Sequence, residues 1–228
     1  MLERTLEPEV MDSREEALGY DSMDHSEVNH AFVADFLNSL PEAIGVSDGD
    51  NRSVHVLDVG TGTALIPIEL CGRNACYRVT AIDMAHHMLA LGQQNIASAG
   101  LQSRIALQSV DAKHTPFAVQ SFDAVMSNSI VHHIPEPSAV LREMVRVLRP
   151  GGLLFVRDLL RPDDVETVDQ LVSQYAGDAT GHQRQMFRDS LCAALTLAEI
   201  RHTIGELGLP PNSVSRTTDR HWTICWQA

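Results

Sequence analysis

The stretch V-L-D-V-G-T-G-T-A at 56–64 constrains this chain more than any other. A short apolar run of strand length, Val54–Val59, ends in a glycine-rich turn and opens onto a helix read from Ala64 to about Gly72. Gly60 and Gly62 allow backbone angles closed to other residues and let a ligand approach the main chain. The helix start behind them offers unpaired N–H groups suited to a carboxylate or phosphate. A buried strand, a glycine turn and a helix together form the opening unit of a parallel α/β fold.

The rest of the chain continues that alternation. Strands are read at Arg78–Ile82, Arg104–Gln108, Phe122–Ser127 and Leu153–Arg157, with helices at Ala85–Ala99 and Pro137–Leu148 between them. Pro150-Gly151-Gly152 is read as ending the last of these helices. Residues 159–196 carry no strand signal and are read as two helices. Thr196 with Glu199 forms a capping box for a further helix ending near Gly208. Ser213–Thr217 and His221–Trp226 flank a turn too short for a crossover, so they should pair antiparallel. The expected fold is a doubly wound, mostly parallel seven-stranded sheet. It has an antiparallel C-terminal hairpin, helices on both faces and a helical lid after the fifth strand. Ahead of it, residues 1–19 are acidic and read as an arm or short helix. A helix from about Asp24 to Leu40 is stopped by Pro41, and 45–52 is a turn-rich linker. The domain division expected is 1–50 as an N-terminal helical cap and 51–228 as the main domain, with 159–196 as its lid.

Charge and length exclude several classes. The 228 residues suffice for one α/β domain, and 17 basic against 30 acidic side chains leave a formal charge of −13. Such a surface repels polyanions, so broad nucleic-acid binding is not expected. No apolar run reaches the roughly 20 residues needed to cross a bilayer, and no secretory signal is visible. Cys71, Cys76, Cys192 and Cys225 form no C-x-x-C pair, and His and Cys do not cluster at ligand spacing. Reduced thiols in a cytoplasm, and no metal site, are therefore expected. Nothing in the sequence sets the oligomeric state.

Leu65 disfavours reading the glycine turn as a nicotinamide fingerprint. G-x-G-x-x-G needs a small third residue where this chain has Leu65; the small residue, Ala64, comes one position early. Asp83 ends the second strand, 23 residues after Gly60, where an acidic side chain can accept both hydroxyls of a ribose; its rival role is a helix N-cap. Asp111 follows the third strand, and Ser127-Asn128-Ser129 follows the fourth, where ligands of open α/β sheets lie.

In order, V-L-D-V-G-T-G-T-A, A-I-D-M, D-A at 111–112, F-D-A-V-M-S-N-S-I-V-H-H-I and L-R-E-M-V-R-V-L-R-P-G-G-L-L-F-V resemble the motifs of class I S-adenosylmethionine-dependent methyltransferases. The likeness is greatest to small-molecule enzymes of the quinone-biosynthesis type and covers roughly residues 53–158. Ala64 departs from it, since the family's first motif usually has a third glycine there. The resemblance implies S-adenosylmethionine as cofactor and a small-molecule acceptor. It places the methionine part on Asp58, Gly60, Thr61 and Gly62, the ribose on Asp83, one adenine face on Met84 and the adenine edge on Asp111 and Ala112. Asn128 and Ser129 lie beside the methionine or ribose.

Methyl transfer is an in-line displacement, so the protein must align a nucleophile and, where needed, take its proton. Three candidates stand at strand ends or in the cap. His132, beside His133, is a possible base, with packing or turn capping as its rival role. Asp158 ends the fifth strand and either faces the acceptor or binds a nearby amide. Tyr20 is placed to orient cofactor or substrate, or to act as a surface anchor. Other readings of the same motifs are a cofactor-binding protein without turnover, a non-methylating use of the same cofactor, and a methyltransferase acting on tRNA or protein.

Overall fold

A computed structural model describes residues 2–10, 12–44 and 52–228. The linker read at 45–52 lies, apart from Arg52, outside them. Seven strands form one sheet in the order β3-β2-β1-β4-β5-β7-β6. They are β1 (Val54–Val59), β2 (Tyr77–Asp83), β3 (Ile105–Ser109), β4 (Phe122–Asn128), β5 (Leu148–Leu159), β6 (Val214–Arg216) and β7 (His221–Gln227). β1 pairs parallel with β2 and β4, and β2 with β3. β6 and β7 run antiparallel, Ser215 opposite Thr223, as the short turn requires. The strand order turns outward from β1 in both directions, so a switch point lies between β1 and β4, where open sheets of this kind bind ligands.

The helices are α1 (Arg14–Asp21), α2 (Ser26–Ser39), α3 (Leu65–Arg73), α4 (His86–Ser98), α5 (Pro137–Val147), α6 (Val165–Tyr175), α7 (Gly181–Ala193) and α8 (Leu197–Glu206). α1, α7 and α8 each open with a capping box, Ser13/Glu16, Thr180/Gln183 and Thr196/Glu199. No helix among the described residues is long and apolar enough to cross a membrane.

One expected boundary moves. Pro150-Gly151-Gly152 does not separate α5 from its strand; β5 begins at Leu148, directly after the helix. Gly151 N–H donates to the Ala228 carbonyl (2.7 Å), and Ala228 N–H to the Gly152 carbonyl (2.9 Å). The far end of the chain supplies partners that local turn signals cannot reveal.

The chain divides into two compact units. The larger comprises Val10–Asn128, Ala139–Val156 and Cys225–Ala228. Its core packs Phe32 and Phe36 of α2 edge-on to Phe155, with ring centroids 5.3 and 5.9 Å apart, over Val56, Ala124, Met126 and Leu153. The smaller comprises Met1–Glu9, Ser129–Ser138 and Arg157–Ile224, with Leu159, Val168, Leu171, Leu191 and Ala194 at its centre. Its N-terminal arm is stitched down by Leu2 N–H to the Asp163 carbonyl and Thr5 N–H to the Cys192 carbonyl. Arg4 adds hydrogen bonds to the carbonyls of His132, Ile134 and Ala193.

Candidate functional site

In the larger unit, β1 delivers Asp58 to the sheet's end and the loop then turns sharply. Gly60 and Gly62 take φ of 75° and 54°. These left-handed angles are why glycine stands there. Ala64 takes φ 63°, ψ 24°, also left-handed, where a methyl group adds strain. That methyl is fully buried against Gly92 of α4: a Cβ added at Gly92 would stand 3.3 Å from it. The missing side chain on α4 makes room for the extra one on the loop.

Asp83 holds the loop in place. One carboxylate oxygen accepts Gly62 N–H (2.8 Å) and the other Ala85 N–H (2.9 Å). It does not cap α4, whose N-cap is Ala85 without a side-chain bond, so the rival role fails. Burial raises its pKa despite these donors. Burial also pushes Asp58 up to about 7, and the charge of Asp83 adds to the effect. The Thr61 hydroxyl eases this only in part. Asp58 Oδ2, Thr61 Oγ1 and Thr63 Oγ1 are all buried without a well-aligned hydrogen-bond partner. Three such atoms on one loop are costly unless a ligand satisfies them.

Tyr20, at the end of α1, covers this loop. Its ring edge comes within 3.8 Å of where a Gly62 side chain would begin, and it stacks on His25 with centroids 4.4 Å apart. Tyr20 is 37% exposed as a whole, but its phenol end is desolvated beside Asp58 and Asp83, which pushes its pKa up to about 12, so it stays protonated and can donate. Met84 is 40% exposed beside Asp83, so its thioether is open to solvent rather than packed in the core. Asp111 accepts Lys113 N–H (2.9 Å) and pairs with its ammonium (3.1 Å). Against the effect of burial, these contacts hold its carboxyl below the usual range. Ala112 is buried beside it, and Asn128 ends β4, half-buried.

In the smaller unit, Ser129 has φ 59° and donates its N–H to the Arg157 carbonyl (2.9 Å). Asp158, with no exposed surface, accepts N–H groups of Val131 (2.5 Å), His132 (3.3 Å) and Leu159 (2.6 Å). Its Oδ1 lies 2.5 Å from His132 Nδ1. Burial would raise the Asp158 carboxyl, but His132 holds it down; burial would lower His132, but Asp158 and Glu7 raise it. The other His132 nitrogen, Nε2, lies 3.4 Å from Glu7 Oε1. Both ring nitrogens are therefore engaged within the protein, and Asp158 serves the backbone amides. Glu7 and Arg4 escaped the sequence reading because nothing in linear spacing links the arm to the His-His pair. Thr63 was legible only as part of the glycine motif.

Residues 57–156, from β1 through most of β5, match the family described as a methyltransferase domain. The ubiquinone/menaquinone biosynthesis C-methyltransferase UbiE of Geotalea daltonii is 33% identical over 47% of this chain and 46% of its own length. The 27-O-demethylrifamycin SV methyltransferase of Amycolatopsis mediterranei is 30% identical over 74% of this chain and 59% of its own. The chain spans about half the length of the curated relatives it matches. Among solved structures, a SAM-dependent methyltransferase from Aquifex aeolicus shares the fold with a TM-score of 0.65. It is 16% identical, and the match covers 93% of this chain and 97% of that one. Within the matched residues lie the glycine loop, Asp83, Met84, Asp111, Ala112 and Asn128; Tyr20 reaches the loop from outside them.

Proposed function

We propose that this protein transfers the methyl group of S-adenosylmethionine to a small-molecule acceptor. The observation that carries the reading is that Asp58 Oδ2, Thr61 Oγ1 and Thr63 Oγ1 are buried without a well-aligned hydrogen-bond partner where β1 runs into a left-handed glycine turn. An amino-acid ammonium and carboxylate match an acceptor and two hydroxyls, so the residues fit the cofactor's methionine end. When bound, the cofactor would supply a sulfonium methyl whose carbon the acceptor's lone pair attacks in line, the C–S bond electrons leaving with sulfur and the acceptor's proton passing to solvent.

The chain's own residues bind and orient. Asp58 accepts the ammonium, and the Thr61 and Thr63 hydroxyls donate to the carboxylate. Asp83 keeps its two backbone partners and uses its remaining lone pairs for the ribose hydroxyls. Met84 offers its exposed thioether to the adenine face, Asp111 and Ala112 its edge, and Asn128 the portion nearer the methionine. Tyr20 donates from its protonated phenol above the loop. The charge of −13 favours a small acceptor over tRNA, and relatives named for a quinone and a rifamycin point the same way. In this reading residues 51–228 are the catalytic domain, and the helices of 159–196 select the acceptor.

The test is calorimetric titration with S-adenosylmethionine, S-adenosylhomocysteine and NADH, followed by an acceptor screen that reads a gain of one CH2 in product mass. Micromolar binding of the sulfur compounds alone, then a methylated product, is expected. A folded protein that binds neither sulfur compound refutes the reading. Binding without turnover of any acceptor would make it a cofactor-binding regulator.

A further inference from the structure

We infer that Glu7, His132 and His133 form a binding site for a divalent first-row metal ion, with Asp158 orienting His132 behind it. One ligand atom from each of the three side chains lies within 4.8 Å of the other two. Glu7 Oε1 is 3.4 Å from His132 Nε2 and 3.1 Å from His133 Nδ1. Tetrahedral bonds of about 2.0–2.1 Å set ligand atoms roughly 3.3 Å apart, so these separations already suit an ion. Two imidazoles and a carboxylate are a zinc donor set that leaves one position open.

The remaining contacts favour a metal over a proton. His132 Nδ1 faces Asp158 at 2.5 Å, which directs the Nε2 lone pair toward Glu7. A carboxylate behind a ligating histidine is the usual outer partner of such sites. A proton on His132 Nε2 would satisfy the contact with Glu7 but nothing else. His133 Nδ1 is buried, close to the same Glu7 oxygen, and has no well-aligned hydrogen-bond partner. One cation between the three atoms satisfies both imidazoles and the carboxylate together. Its structural effect would be to fasten the arm carrying Glu7 to the one-turn 3₁₀ helix Val131–His133, where Arg4 already binds the His132 carbonyl. Sequence spacing gives no hint of this, since 125 residues separate Glu7 from His132.

The test is to strip the full chain with a chelator and titrate it with Co(II), reading visible absorption, then displace the cobalt with Zn(II). One equivalent per chain, with the spectrum of a four- or five-coordinate ion, is expected. Glu7→Gln and His133→Ala should each weaken binding at least about tenfold, and Asp158→Asn by about 10–100-fold without changing stoichiometry. Absence of saturable binding overturns the inference. Equal affinity in the Glu7 and His133 variants also does, because it would assign the ion to surface histidines. If these variants fail to fold, nitrogen-15 spectra of the intact protein decide. Retention of a proton on His132 Nε2 at saturating zinc overturns the site.

Discussion

Replacing Asp58 with Asn should make the ligand-free protein more stable at alkaline pH and a poorer binder of the cofactor. Asp58 is 2% exposed, and its pKa stands at about 7 against an ordinary 3.8. Between those values the folded state holds a proton that the unfolded state has released. The stabilisation from that proton is complete below about pH 4 and is lost as pH rises to 7. A shift of roughly 3 units at about 1.36 kcal/mol per unit gives about 4 kcal/mol, as an upper bound, above pH 7. Asparagine has nearly the same shape and no charge to desolvate. The stability difference between Asp58→Asn and the parent should therefore be small at pH 4 and grow to a few kcal/mol by pH 8, in favour of the variant. Urea unfolding at three pH values measures it.

Cofactor affinity should move the other way. A carboxylate that must be ionised to accept an ammonium loses affinity as pH falls below 7, while the cofactor's own amino group loses its proton near 8. Parent affinity should thus peak between these values. Asp58→Asn should be flat from pH 5 to 7 and weaker at pH 7.5 by roughly 10–100-fold, the scale of about 1.5–3 kcal/mol for a charge-assisted hydrogen bond. A stability difference that does not change between pH 5 and 8, together with unchanged affinity at pH 7.5, would refute the assignment of Asp58.

Three further outcomes follow from the same loop. Asp83→Ala should weaken cofactor binding by about 1–3 kcal/mol, because it removes a charged acceptor and frees the Gly62 N–H; unchanged calorimetric affinity in a folded variant counts against the ribose role. Tyr20→Phe should cost about 0.5–1.5 kcal/mol of cofactor affinity if the phenol donates, and nothing if only its ring covers Gly62. Gly92→Ala should be more favourable in an Ala64→Gly background than alone by at least about 0.5 kcal/mol, since the two methyl groups compete for one space; additive unfolding energies would show that they do not.

What could be read in the sequence was set by how local its cause is. The Thr196/Glu199 capping box lies within one helical turn, so residue types alone announce it. The strand ending in Val59 and the turn at Gly60 and Gly62 are equally local. The positive φ angles of that turn are ones glycine adopts without strain. The same logic misled at Pro150-Gly151-Gly152, where a punctuating tripeptide continues a strand because Ala228 pairs with it. At Ala64 the sequence showed a small departure from a motif. The structure shows a left-handed alanine whose methyl packs closely over Gly92 of α4, where a second methyl would be tight.

The residues proposed to hold the cofactor, Asp58, Asp83, Asp111 and Asn128, are legible because each lies at or near the end of a successive strand, so sequence order maps onto position. The group of Glu7, His132, His133 and Asp158 has no such map. Its members come from an arm, a single 3₁₀ turn and the end of β5, joined only by the fold of the smaller unit. A buried acid and two histidines require partners wherever the chain finds them. Residues 159–196, proposed to select the acceptor, are freer still: shape and polarity would set such a surface, and neither leaves a fixed spacing in sequence.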